Sequence, residues 1–69
     1  MKEIIVDPKI LAGKPVIRGI RIPVYLVLNL LANGKIPKQI TVEYPELTQK
    51  DVTATINYAA LRMKYEEIK

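Results

Sequence analysis

Five prolines, at positions 8, 15, 23, 37 and 45, divide this chain before any side-chain pattern does. Proline fixes φ and has no N–H to give, so a helix accepts it only in the first turn and a sheet only at an edge. The segment Glu3-Ile4-Ile5-Val6 is β-branched and stopped by Asp7-Pro8, which reads as a strand ending in a turn. Its pairing partner is either a distant segment or a second subunit. Between Gly13-Lys14-Pro15 and Pro23, β-branched residues flank Arg18-Gly19 on both sides, which predicts a tight turn or narrow hairpin centred there.

Pro23 suits the first turn of a helix running from about Val24 to Asn33, with Asn33-Gly34 as its stop. The residues of this helix are apolar almost all round, with Tyr25, Asn29 and Asn33 as the polar stripe, the pattern of a buried central helix. Pro37 opens a second, short helix to about Glu43. Ile36 falls at its cap position and cannot accept a hydrogen bond, a loss of about 1 kcal/mol. Tyr44-Pro45 ends it, because the residue before a proline is pushed out of the helical region.

A third helix starts at Thr48-Gln49-Lys50-Asp51, a capping box with Leu47 and Val52 placed as a hydrophobic staple. It continues to about Glu67 and carries two apolar stripes. One is Val52, Ile56, Ala59 or Ala60, and Met63; the other is Ala54, Tyr58, Leu61, Tyr65 and Ile68. A core of this size has use for one, so the second either joins a partner or folds back onto the N-terminal strand. The expected fold is mainly α: one domain over residues 1–69, with an extended or β part at 1–23 and three helices at 24–69 forming a helix-turn-helix with a small strand or hairpin.

Composition narrows the chemistry. At 69 residues the chain is near the lower size limit for an unaided core, and it has no cysteine or histidine. Disulfides are excluded, a zinc site is improbable, and oligomerisation or a bound partner is the remaining staple. No nucleophile–base pair and no phosphate-binding glycine loop is present, so no catalytic residue, cofactor, metal or small-molecule substrate is expected. The start has no signal-peptide pattern, and the apolar run Val24 to Leu31, broken by Asn29, is too short to span a membrane. A cytoplasmic, soluble protein is expected.

The net charge of +4 is unevenly placed. Residues 1–40 hold seven cations against two anions, a balance of +5, and residues 41–69 hold four against five, a balance of −1. In a helix-turn-helix, the third helix would offer Gln49, Lys50, Thr53 and Asn57 to base edges; Gln49, Thr53 and Asn57 lie four apart on one face. Lys14, Arg18 and Arg21 around the Gly19 turn, with Lys35 and Lys38 flanking the second helix, would hold phosphates. Each set also has a plain reading: a solvated helix face, and a surface turn whose arginine pairs with Asp7 or Glu3.

The run Asp7-Pro8-Lys9-Ile10 … Gly13-Lys14-Pro15-Val16-Ile17-Arg18-Gly19-Ile20-Arg21-Ile22-Pro23-Val24 resembles a bacterial and archaeal family known as domain of unknown function 433, often called VapB-type antitoxins. The likeness continues through Gly34, Ile40, Tyr44-Pro45, Leu47-Thr48, Asp51 and Tyr58-Ala59, nearly the whole chain. Three positions depart from it. Ala12 replaces a glycine, Ile20 the threonine of a Gly-Thr-Arg triplet, and Ile36 the serine or threonine cap of the second helix. The resemblance implies a helix-turn-helix antitoxin that binds operator DNA as a homodimer and neutralises a PIN-like ribonuclease toxin. Tyr58, Leu61, Tyr65 and Ile68 would join subunits or the toxin. The alternative is a protein-interaction module on the same scaffold without DNA binding, favoured by the −1 balance of the C-terminal part.

Overall fold

The computed structural model describes residues 4–66, and Ile68 of the expected interface lies outside them. Three two-residue strands, β1 (Ile4–Ile5), β2 (Val16–Ile17) and β3 (Ile22–Pro23), form an antiparallel sheet in the order β1-β2-β3. The strand left without a partner in the sequence reading pairs within its own chain, Ile4 opposite Ile17 and Ile5 opposite Val16. The expected hairpin is present, with Val16 opposite Pro23 and Ile17 opposite Ile22. Its loop is closed by the Arg21 N–H donating to the Ile17 carbonyl at 2.9 Å, with Gly19 at φ +91°.

Three helices follow: α1 (Val24–Ala32), α2 (Pro37–Glu43) and α3 (Gln49–Glu66). Pro23 stands one residue earlier than expected, at the end of edge strand β3 and in the cap position of α1 rather than inside its first turn. The first helical N–H, that of Val24, reaches back to the Pro15 carbonyl at 2.9 Å and ties the helix to the base of the hairpin. At the far end Gly34 takes φ +93°, which lets its N–H reach the Leu31 carbonyl and the Lys35 N–H reach the Leu30 carbonyl, both at 3.0 Å. This is a Schellman stop, and only a residue tolerant of left-handed backbone ends a helix this way at low cost.

Ile36 supplies no side-chain cap to α2, as its chemistry dictates. The reverse half of a capping box is nonetheless made, because Gln39 Oε1 accepts the Ile36 N–H at 2.9 Å. Part of the expected penalty is therefore recovered by a residue the sequence reading passed over. In α3 both halves form: the Thr48 N–H donates to Asp51 Oδ2 (3.0 Å) and the Asp51 N–H to Thr48 Oγ1 (3.1 Å). Leu47 and Val52, the staple pair, are both buried.

The core takes one residue from almost every element: Ile17 of β2, Val27 of α1, Ile40 of α2, Leu47 of the corner and Val52 of α3. Two expectations change here. Of α1 only Val24 and Val27 are fully buried; Leu26, Leu28, Leu30 and Leu31 are half-buried and Tyr25 is exposed. A chain this short has too few layers to surround a helix, even one that touches α2, α3 and β3. The face that α3 turns inward also differs from the expected stripe. It runs through Asp51, Val52 and Thr55 to the half-buried Tyr58 and Ala59, while Ile56 and Met63 are exposed. Thr55 sits fully buried because its hydroxyl donates to the Val52 carbonyl at 2.7 Å, leaving its methyl to pack. Among the described residues no helix is long and apolar enough to cross a membrane.

Candidate nucleic-acid and protein interfaces

A helix presents residues spaced by three and four on one side, so a capped start and a buried inner face together fix what α3 shows to solvent. Gln49, Lys50, Thr53 and Asn57 are all exposed, on the side away from Val52 and Thr55. They begin immediately after the corner 44–48, which is held by the Leu47 N–H donating to the Tyr44 carbonyl at 2.9 Å. The order α2, tight corner, α3 is that of a helix-turn-helix, and the four side chains fall within the first three turns of its second helix.

The cations divide into two environments. Lys14, Arg18 and Arg21 are exposed around the hairpin. The Lys14 ammonium lies 6.0 Å from the centre of the Tyr25 ring, and Arg18 is engaged within the chain. Arg21 has φ +56°, a left-handed conformation held by a non-glycine residue. Asp7, considered above as an arginine partner, accepts the Lys9 backbone N–H at 2.9 Å. Lys35, just before α2, and Lys38 within it border a shallow surface with Gln39, Val42 and Glu43, where Lys35 Nζ lies 4.0 Å from Glu43 Oε1. Part of the Lys35 charge is thus already answered, and a pair this exposed contributes little stability.

The two sets of DNA candidates lie on different elements, the hairpin with the start of α2, and the start of α3. The base of the hairpin lies against the C-terminal half of α3, because Pro15, Val24 and Tyr25 line one groove with Tyr58, Ala59, Arg62 and Met63. Lys50 is twelve residues before Arg62 on the same helix, roughly 18 Å along the axis at 1.5 Å per residue. The tip of the hairpin turns the other way, with Ile20 packed against the core cluster that holds Leu47 and Val52 at the start of α3.

The interface candidates fall on this C-terminal half. β1 packs against α3, and Ala54 and Tyr58 of the second stripe are half-buried. Leu61 and Tyr65 remain exposed. Beside them, α1 and α3 enclose an apolar groove of about 240 Å³, lined by Val24, Tyr25, Leu28, Tyr58, Ala59 and Met63 among others. Tyr25, read from the sequence as part of a polar stripe, belongs to this groove; its three-residue spacing from Leu28 on α1 is the signal that locates it. Exposed Val42 on α2 was also not singled out by the sequence.

The family model described as "Protein of unknown function (DUF433)" matches residues 4–59. The crystal structure of a DUF433 member protein from Anabaena variabilis ATCC 29413 is similar at 28% identity with a TM-score of 0.83, covering 94% of this chain and 64% of that one. The chain thus spans less than two thirds of that protein's length. No curated protein matches.

Proposed function

The chain belongs to the DUF433 family, and from that premise we propose that it acts as an antitoxin: a DNA-binding protein that represses its own operon and neutralises a PIN-like ribonuclease toxin. The observation that carries the DNA half is the exposed face Gln49, Lys50, Thr53 and Asn57 at the capped start of α3, directly after a tight corner. Gln and Asn side chains pair bidentately with adenine, Thr meets a base edge or methyl group, and Lys reaches guanine or phosphate. Lys14, Arg18, Arg21 and Lys38 supply backbone contacts, with Lys35 a lesser one because of Glu43. Two copies serve a two-fold operator by placing two such helices about one DNA turn apart. The toxin half is supported by the family resemblance and by the uncovered C-terminal half of α3.

The test is fluorescence anisotropy on the DNA upstream of the protein's own gene, across a salt series, with a scrambled duplex as control. Binding is expected to be selective and to weaken steeply with salt, as released counterions require. Lys50→Ala and Asn57→Ala are each expected to lower operator affinity about tenfold, in line with about 1–3 kcal/mol per good base contact, with unchanged melting temperature. Operator affinity untouched by both changes removes α3 as the reader. Binding that is flat with salt and no better than the scrambled control returns the weight to a protein-interaction module, the reading that the −1 balance of residues 41–69 favours.

A further inference from the structure

The core releases α3 before the helix ends. Every residue from Ala60 to Tyr65 is exposed, although Leu61, Met63 and Tyr65 are apolar or aromatic and are 54%, 63% and 76% accessible. Ala54, Tyr58, Leu61 and Tyr65 follow one another at intervals of four, three and four, the a/d spacing of a helix-pairing seam. Two half-buried positions lead into two that none of the described residues covers.

The residues beside that seam decide what fits it. With Tyr58 and Tyr65 at a and Leu61 at d, the e and g positions among the described residues are Thr55, Asn57, Arg62 and Lys64. None is acidic. A second copy of this helix, parallel or antiparallel, therefore finds no opposite charge across the seam in any register, and where charges meet they repel. The adjoining groove repeats the bias, with Arg62 in its wall and Lys14 over Tyr25 at its edge. Arg62 also makes a contact within its own chain, so Lys64 carries most of the weight. Nucleic acid would meet the charges but not the apolar stripe between them.

We infer that the C-terminal half of α3, from Tyr58 to Tyr65, is a docking seam for an amphipathic helix of another protein whose flanks are acidic, and not for a second copy of this chain. The inference rests on the proposed antitoxin reading for there being a protein partner, and gives that partner its chemistry. DNA binding through residues 49–57 is measured separately, so either can fail alone.

The test uses the full chain and two synthetic 21-residue helical peptides with leucine at every a and d position, one with glutamate and one with lysine at e and g. Anisotropy is expected to show the glutamate peptide binding at least tenfold tighter. Leu61→Asp is expected to abolish that binding, and Lys64→Glu to shrink the preference several-fold; circular dichroism verifies that both variants keep the wild-type fold. Sedimentation at micromolar concentration is expected to give the same association state for the wild-type chain and Leu61→Asp, since no second copy sits on this seam. Equal binding of the two peptides, or binding indifferent to both substitutions, overturns the inference. So does a dimer that Leu61→Asp dissociates, which makes a second copy the occupant, or displacement of the peptide by a random duplex, which makes it nucleic acid.

Discussion

Leu11, Ala12 and Arg21 each hold a positive φ, at 49°, 57° and 56°, although none is glycine. Leu11 and Ala12 run into Gly13 at φ +85°, making a short left-handed turn closed by the Gly13 N–H on the Ile10 carbonyl and the Lys14 N–H on the Leu11 carbonyl. Left-handed backbone costs an L-residue about 1–2 kcal/mol, whereas glycine forfeits about 0.5–1 kcal/mol of extra chain entropy on folding. The first effect is the larger, so Ala12→Gly is expected to raise stability by about 0.5–1 kcal/mol, read as a higher urea midpoint with an unchanged slope. The same geometry gives a physical reason for the glycine that the family resemblance implies at this position. Arg21→Gly relaxes the same strain but deletes a cation beside the hairpin. It is expected to melt higher and to bind operator DNA more weakly, two opposite signs that a merely structural arginine would not give.

At the scale of elements, what was legible in the sequence is what neighbouring residues decide among themselves. Gly34, Pro37, Pro45 and the Thr48–Asp51 box act within one turn of chain, and the bounds of α2 and the start of α3 follow from them with no knowledge of the fold. Which side of α3 faces inward was not legible, because Thr55 hides its hydroxyl on the Val52 carbonyl and occupies a place that an apolar count assigns to Ile56. Exposed candidates such as Gln49 and Asn57 were readable as a face. Their placement relative to the hairpin cations was not, since it depends on how the hairpin packs on the core. The weak start of α2 gives a prediction of its own. Ile36 is exposed and caps nothing, while Gln39 already satisfies its backbone N–H. Ile36→Thr completes the box and is expected to add about 1 kcal/mol in chemical denaturation. No gain would mean that the open amides of α2 are already satisfied by water.

For the whole molecule, a single small core has to hold a sheet of two-residue strands and three helices together. Ile40, fully buried, meets the residues that β2, α1, the corner and α3 contribute. Its truncation to alanine removes about 2–5 kcal/mol. A chain of 69 residues has roughly 3–10 kcal/mol in all at about 0.05–0.15 kcal/mol per residue. Ile40→Ala is therefore expected to abolish or broaden the thermal unfolding transition followed by circular dichroism, and a melting temperature within a few degrees of wild type would show that the core is redundant there. Against so thin a margin the left-handed turn matters in a different way. An average damaging substitution costs about 1 kcal/mol, close to what glycine at position 12 would return. Two lineages that differ only at this loop residue then differ in how many later changes each survives, and the one carrying alanine drifts through sequence space with one step less of slack.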